Sequence, residues 1–109
     1  MERIYICSRF KSNNGDTEKH IQLARIYCRM AWDRGYFPIA PQLYLPQVLD
    51  YGNKTEREAA LKLYLKALAR CSELWVFGEH ISKGMQAVID KAKELRIPIK
   101  YFDEYGEAL

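Results

Sequence analysis

Ser82, Lys83 and Gly84 have the types and spacing that best suit ligand chemistry. They follow the short apolar run at residues 74–77, which predicts a buried strand that ends at Gly78. Ser82 is a favoured N-cap, so a helix is expected to begin there. Its start presents free backbone N–H groups at the carboxyl edge of a sheet, where an anion binds, although the same spacing fits a plain connection into a well-capped helix. The apolar stripe predicted for that helix consists of Met85, Val88, Ile89 and Ala92.

Ser8 and Arg9 form a second candidate group, directly after the predicted first strand at residues 4–7. Because the carboxyl ends of parallel strands meet at one edge of a sheet, we expect this group to lie close to Ser82. Arg9 would add a fork-shaped cation that suits phosphate. Cys7, at the end of the strand, is predicted to be a buried thiol of low reactivity.

Residues 41–52 (PQLYLPQVLDYG) are the least typical segment, because they lie where a loop is expected and yet are strongly apolar. Such a connection cannot simply face water, so it either covers a pocket or packs on a partner subunit. A third possibility is a hydrophobic lid over the edge of the core, with no ligand role.

The composition of the 109 residues predicts a single globular domain. Hydrophobic residues make up 49% of the chain, which argues against disorder, and the net charge of +3 comes from basic residues dispersed among acids. No nucleic-acid groove is therefore indicated. Three separated cysteines favour reduced thiols in a cytoplasm, and two isolated histidines argue against a structural metal site. Neither a signal peptide nor a membrane span is expected, since no segment approaches about 18 apolar residues.

Hydrophobic periodicity predicts the order βαβαβαβ, and therefore an α/β fold with a small doubly wound, mainly parallel sheet. The first helix is expected to begin at Asp16 or Thr17 and to run to about Asp33. Gly35 is placed to end this helix in the left-handed conformation. Thr55 is predicted to cap the second long helix, with a capping box three residues on.

The remaining predicted elements are shorter or more exposed. Residues 36–40 predict a second strand, whose proline indicates either an edge position or an early departure from the ladder, and residues 99–102 predict the last strand. The polar tail at residues 103–109 is expected to be frayed. The second long helix has more apolar residues than one stripe needs, so the surplus around Leu61 and Leu65 belongs either to a wide core face or to an oligomer contact.

Three segments together resemble a known family. They are YICSRF at the first strand, PIAPQLYLPQVLD after the second and ELWVFGEHISKGMQAVIDKA at the third. In this order and at these distances they resemble a group of small bacterial and phage proteins that look like nucleoside 2-deoxyribosyltransferases. The resemblance implies a flavodoxin-like sheet, one such domain over residues 1–109, and a homo-oligomer whose crevices hold a nucleoside or nucleotide.

The resemblance also implies that a phosphate or sugar lies near the helix start at Ser82, flanked by Ser8 and Arg9. In enzymes of this type, a glutamate one turn beyond the glycine attacks the anomeric carbon of the sugar. The family usually reads S-x-G-M-x-x-E at this helix start, whereas this chain has Val88 at the glutamate position. An isopropyl group can neither attack nor stabilise a cation. Two further departures are Gln42 in place of the usual histidine and Arg9 in place of a frequent proline.

The leading hypothesis is a cytoplasmic binding protein, with no cofactor and no catalytic residue, that holds a nucleotide-like molecule without cleaving it. A phage-encoded, anti-defence sponge that sequesters a nucleotide immune signal, such as a cyclic ADP-ribose isomer, would fit this hypothesis. Tyr44 and Leu45 are expected to cover the base or ribose, and Gln42 to hydrogen-bond to it. The residues predicted to bind the ligand are Ser8, Arg9, Phe10, Gln42, Tyr44, Leu45, Gly78, Ser82, Lys83, Gly84, Met85 and Val88.

Two other hypotheses remain open. The first is an active deoxyribosyltransferase or nucleotide N-glycosidase that uses Glu79, Asp90 or Glu73 as its carboxylate. Asp90 lies about 200° around the helix from the usual glutamate position and should face elsewhere. The second is a protein-interaction module with no small ligand, in which residues 41–52 dock a partner. His80 beside the crevice is expected to be an exposed loop histidine.

Overall fold

Side chains that alternate along the strands build two apolar layers, one on each face of the sheet. In the first strand, Ile4 and Ile6 point to one face, whereas Tyr5 and Cys7 point to the other. The first layer comprises Ile4, Ile6, Tyr27, Ala31, Ala40, Trp75, Phe77 and Phe102. The opposite layer comprises Tyr5, Cys7, Leu68, Cys71, Leu74, Val76, Met85, Val88, Ile89 and Ala92. Both faces are therefore covered, as the continuous apolar runs of the central strands predict.

The computed structural model describes residues 1–10 and 17–109, and it confirms the predicted α/β class. The strands are β1 (Arg3–Cys7), β2 (Phe37–Ile39), β3 (Glu73–Phe77) and β4 (Ile99–Phe102). The helices are α1 (Thr17–Asp33), the short α2 (Leu45–Val48), α3 (Lys54–Ala69) and α4 (Lys83–Glu94), with a 3₁₀ turn at Pro41–Leu43. The loop predicted at residues 11–16 and the alternative cap at Asp16 lie outside the described residues.

The four strands are all parallel and lie in the order β2-β1-β3-β4, which confirms the doubly wound sheet. β1 and β3 form the central pair, with Tyr5 opposite Leu74. α1 contributes Tyr27 to the first layer, whereas α3 and α4 contribute Leu68 and Met85 to the opposite layer. The connections that leave β1 and β3 thus run to opposite faces, and a crevice opens where their carboxyl ends diverge.

Residues 41–52 are not the plain loop that their position predicts, because they contain the 3₁₀ turn and α2. Pro41 and Pro46 occupy first-turn positions of these two short elements. A fixed φ suits such a position, and the missing N–H would have no helical partner there. Leu45 is buried, which accounts for part of the apolar composition of the segment.

The cap predicted at Thr55 is wrong, because α3 begins at Lys54 and is capped by Asn53. The side-chain oxygen of Asn53 accepts a hydrogen bond from the backbone N–H of Glu56 at 3.1 Å. Asparagine is at least as good an N-cap as threonine, so its side chain can take this role two residues before Thr55. Glu58 therefore lies beyond the first turn and does not complete a capping box.

The C-terminal residues form an ordered turn, so the prediction of a frayed tail is wrong. The carboxylate of Asp103 accepts hydrogen bonds from the backbone N–H groups of Tyr105 and Glu107, each at 2.9 Å. The backbone N–H of Leu109 donates to the carbonyl oxygen of Tyr101 at 3.0 Å. This turn stands at the carboxyl end of β4 and contributes a wall to the crevice.

Other boundaries agree with the sequence. α1 ends at Asp33 and Gly35 adopts a φ of +91°, as predicted. β2 is an edge strand, as its proline predicts, but it spans three residues only.

Leu61 and Leu63 on α3 are 39% and 43% exposed, and the predicted oligomer contact stays a prediction. In the described part of the chain, no helix has both the length and the apolarity needed to cross a membrane.

Candidate functional site

Two clefts flank the carboxyl ends of β1 and β3, and Ser8 lines both of them. The larger cleft has a volume of about 730 Å³ and opens between β1, α3 and α4. The smaller cleft has a volume of about 480 Å³ and opens between α1, the loop after β3 and the C-terminal turn. Each volume is in the range of small-molecule sites.

The start of α4 forms the polar mouth of the larger cleft. The hydroxyl oxygen of Ser82 accepts a hydrogen bond from the backbone N–H of Met85 at 3.2 Å, which confirms the predicted N-cap. Lys83 and Gly84 follow it and are exposed. A Cβ added to Gly84 would meet no atom within 4 Å, so the space over this helix end is open. The unpaired N–H groups and the helix dipole make that space favourable for an anion.

The floor of the larger cleft is apolar and chemically inert. Val88 and Met85 are buried there beside Tyr5 and Cys7. Burial raises the pKa of the Cys7 thiol to about 12, and burial together with the neighbouring Cys7 raises the pKa of Tyr5 well above its ordinary value. Both groups therefore keep their protons at neutral pH and offer neither a nucleophile nor a base.

The opposite rim, on α3 and the residues before it, carries polar groups that sequence reasoning missed. The hydroxyl groups of Tyr51 and Tyr64 share a short hydrogen bond, which leaves one of the two protons to donate elsewhere. Arg57 donates from Nη1 to the carbonyl oxygen of Tyr51 at 2.9 Å and retains further N–H donors. The carboxylate of Glu58 lines the same rim. Arg57, Leu61 and Tyr64 recur at i, i+4 and i+7, so helical spacing was the signal that could have found this rim.

Gln42 is buried and holds the carboxyl end of β1 in place. Its Nε2 donates to the carbonyl oxygen of Ile6 at 3.0 Å and to the hydroxyl oxygen of Ser8 at 3.4 Å. The amide nitrogen is thus committed to the protein, and the predicted hydrogen bond to a ligand is left to the carbonyl oxygen of Gln42. Ser8, which accepts from Gln42, keeps its own hydroxyl proton for a ligand.

The smaller cleft has an aromatic wall and charged rims. Tyr27 and Phe77 stack in this wall with ring centroids 4.1 Å apart, and the Tyr27 hydroxyl donates to the carbonyl oxygen of Glu104 at 2.6 Å. Burial, with help from the nearby Glu104, raises the pKa of Tyr27 to about 12. Arg9 lies on the rim, and its Nε atom is buried with no hydrogen-bond acceptor among the described residues.

The family model described as "Domain of unknown function (DUF7768)" matches residues 2–102. The chain belongs to this family. Among solved structures, it is similar to the 2-deoxyribosyltransferase from the psychrotolerant bacterium Bacillus psychrosaccharolyticus, with a TM-score of 0.70 and 20% sequence identity. The similarity covers 98% of this chain and 76% of that enzyme. Among proteins with curated descriptions, none matches the sequence.

At this level of identity the likeness to the enzyme establishes the fold of the DUF7768 chain and nothing further. It confirms the predicted flavodoxin-like, 2-deoxyribosyltransferase-like sheet. The topology agrees, since the described strands are all parallel and their helices cover both faces.

Most of the predicted ligand-binding residues of this DUF7768 chain lie in the larger cleft. The residues that line it are Ser8, Phe10 and Gln42 beside β1, and Ser82, Lys83, Gly84, Met85 and Val88 on α4. Arg9 and Gly78 instead line the smaller cleft, together with Glu79 and His80, which are exposed as expected for a loop. Arg9 therefore does not join Ser82 in one cleft, because neighbouring residues of an extended chain point to opposite sides. The binding role of each residue stays a prediction.

Tyr44 and Leu45 line neither cleft, contrary to the cover that was expected of these two residues, whereas Gln42 and Tyr51 of the same segment line the larger cleft. Leu45 points into the core at the start of α2, whereas Tyr44 is 56% exposed. Tyr44 and Leu45 stand at the junction of the 3₁₀ turn and α2, and their side chains point in different directions. The sequence analysis treated this segment as a loop and did not predict that arrangement.

Two of the candidate carboxylates of the DUF7768 chain lie outside both clefts. Asp90 is exposed and accepts from Nε2 of Gln86 at 2.8 Å on the outer side of α4. Glu73 stands at the amino end of β3, where it accepts from Nε1 of Trp75 at 3.0 Å and pairs with Lys100 at 3.2 Å. Within residues 1–10 and 17–109, no three His, Cys, Asp or Glu side chains are grouped so as to hold a metal ion.

Proposed function

We propose that the protein binds a nucleotide, or a small molecule derived from one, in the larger cleft and does not cleave it. The observation that carries this proposal is Val88, which is 5% exposed and lies in the floor of that cleft. In the family that the sequence resembles, this position holds the glutamate that attacks the sugar. With hydrocarbon in its place, the cleft keeps its shape and loses its nucleophile.

The charge distribution of the larger cleft supports an anionic ligand. The amide groups at the start of α4, the ammonium group of Lys83 and the guanidinium of Arg57 all border it. Between them lie apolar side chains, which suit the flat face of a base or the carbon skeleton of a sugar. A nucleoside phosphate combines these two chemistries, since it carries oxyanions at one end and an aromatic ring at the other.

A protein that sequesters a signal needs tight binding of the intact molecule, whereas an enzyme must bind the transition state more tightly than the substrate. The inert floor favours the first use. We therefore also propose that the protein sequesters a nucleotide-derived immune signal, such as a cyclic ADP-ribose isomer. The phage origin that such a role suggests is part of the same proposal.

The second candidate function is an N-glycosidase or deoxyribosyltransferase that uses a non-standard carboxylate. One observation favours it: Glu58 lines the same cleft as Val88, on the opposite rim. Glu79, which the sequence analysis considered, lines the smaller cleft instead. If the protein releases base and Glu58→Gln abolishes that release, this second function replaces the first.

Isothermal titration calorimetry tests the binding proposal with AMP, dAMP, dCMP, ADP-ribose and cyclic ADP-ribose isomers. At least one of them should bind, and Lys83→Gln should weaken its binding about tenfold by removing one charge at the mouth. Lys93→Gln on the same helix is the matched control, because Lys93 is exposed and lines neither cleft. Absence of binding by every compound, or equal loss in both variants, would overturn the proposal.

A further inference from the structure

Arg9 is the most unusual charged residue of the described chain. Its Nε is buried, and no described residue accepts a hydrogen bond from it. A buried donor without an acceptor destabilises the folded protein, so this atom calls for an explanation, and an ordered ligand beside the guanidinium is one. Arg9 lines the smaller cleft, which is open to solvent and large enough for a small molecule.

Carboxylates stand around the same cleft and are not paired with Arg9. Glu79, Asp103 and Glu104 all line it. None of the ion pairs found among the described residues joins one of them to the guanidinium. The smaller cleft thus carries side chains of both charges on its walls.

We propose that the smaller cleft is a second binding site, and that it takes a small zwitterion with the chemistry of a free α-amino acid. The ligand's carboxylate accepts from the Arg9 guanidinium, and its ammonium group donates to the carboxylates of Glu79 and Glu104. A dianionic phosphate fits less well, because the carboxylates of Glu79, Asp103 and Glu104 repel it. A simple cation fits less well because the guanidinium of Arg9 repels it.

The remaining walls indicate what kind of amino acid fits. Leu23, Tyr27 and Phe77 line the cleft from the α1 side of the sheet, and the two rings are stacked. These apolar walls favour an aliphatic or aromatic side chain. Tyr105, on the ordered C-terminal turn, is exposed at the mouth and stands where it could cover the bound ligand.

This site goes beyond the proposed nucleotide function and does not depend on it. The two clefts share Ser8, but the groups that would hold charge differ completely: Arg9 and Glu79 in one, Lys83 and Arg57 in the other. Each proposal can therefore fail without the other.

Two-dimensional ¹H–¹⁵N NMR of the full chain distinguishes the sites. Glycine, L-leucine, L-phenylalanine, acetate, butylamine and inorganic phosphate are titrated separately. L-Leucine or L-phenylalanine should shift the amide signals of Gly78, Glu79 and Tyr105 and leave those of Lys83 and Gly84 unchanged. Acetate and butylamine should each bind at least tenfold more weakly than the whole amino acid.

Arg9→Gln should reduce amino-acid affinity at least tenfold, and Glu79→Gln should reduce it while sparing acetate. Arg25→Gln is the control, because it removes the same charge from an exposed position on α1. The ligand-free Arg9→Gln protein should melt no lower than the parent, since it loses an unpaired buried donor. The proposal is overturned if phosphate binds more tightly than the amino acids, if no amino acid shifts these signals, or if Arg25→Gln weakens binding as much as Arg9→Gln.

Discussion

Val88 and its neighbours decide what the larger cleft can do chemically. The isopropyl group of Val88 has no acidic proton, no charge and no lone pair. The thioether of the adjacent Met85 does not titrate. Cys7 and Tyr5 are nucleophiles by type, yet burial raises the pKa of both. The floor therefore contacts a ligand by shape and apolar packing, while the charged groups of the cleft lie at its rims.

The reactivity of Cys7 provides a direct test of this inertness. Its thiol is 4% exposed and has a pKa raised to about 12 by burial, so the folded protein should react slowly with iodoacetamide at pH 8. Intact mass spectrometry should show little labelling of Cys7 in the native state and labelling of all three cysteines after denaturation in guanidinium chloride. Rapid native labelling at Cys7 would contradict an inert floor.

Gly106 fixes the C-terminal turn that forms one wall of the smaller cleft. It has a φ of +86°, and an added Cβ would lie 2.5 Å from Cε of Met30. Gly35 has a similar φ of +91°, but an added Cβ there would meet nothing within 4 Å. Gly35→Ala should therefore cost about 1 kcal/mol from backbone strain, and Gly106→Ala about 2 to 3 kcal/mol because overpacking is added. Urea unfolding of both variants measures the difference, and equal losses would show that Met30 yields without cost.

At the scale of elements, the start of α4 combines a structural cap with a candidate anion site. α3 starts in the same way: Asn53 accepts from the backbone N–H of Glu56, as Ser82 accepts from that of Met85. The two caps are thus a natural matched pair, because they share a stabilising role and differ in position relative to the larger cleft.

Ser82→Ala and Asn53→Ala should each lower the free energy of unfolding by about 1 kcal/mol. Ser82→Ala alone should also weaken nucleotide binding in calorimetry, because it loosens the helix end that faces the ligand. Chemical denaturation and titration of both variants provide the comparison. If Asn53→Ala weakened nucleotide binding to the same degree, the effect would not be specific to the start of α4.

Hydrophobic periodicity predicted the long elements, whereas the exact start of α3 and the short helices in residues 41–52 were missed. β1, β3 and α4 have clear periodicity and were found, as was the cap at Ser82. The sequence predicted a cap at Thr55, whereas Asn53, two residues earlier, takes that position, and cap propensity alone does not separate the two residue types. In residues 41–52 the apolar composition outweighed the prolines, although Pro41 and Pro46 were available as signals of helix starts.

At the scale of the molecule, the sequence predicted the parallel sheet but not that the predicted site residues fall into two separate clefts. The position of Ser82 follows from its own strand and helix. Tyr51 and Arg57 reach the same cleft only because α3 packs beside α4, which is long-range information. Arg9 lies in the smaller cleft because neighbouring side chains along β1 and the residues after it point to opposite sides, and a linear motif does not carry that direction.

Stability of the whole molecule should fall in alkaline solution. Burial raises the pKa of Cys7 from 9.0 to about 12, so above pH 9 the unfolded chain releases this proton while the folded chain keeps it. The contribution is fully present below pH 9 and is lost as pH rises to about 12, at up to about 1.4 kcal/mol per pH unit. Urea unfolding between pH 8 and 11 should show this decline, and Cys7→Ala should make it shallower. A stability that does not fall over this range would contradict the burial of the thiol.

Recovery of the ligand after binding tests the central claim most directly. The purified protein is mixed with an equimolar nucleotide from the calorimetry panel, separated from free ligand by filtration and denatured, and both fractions are analysed by mass spectrometry. The account predicts that the nucleotide stays with the protein and is recovered intact after hours of incubation. Accumulation of free base above the level in a protein-free control would show that the cleft cleaves the glycosidic bond, and would contradict it.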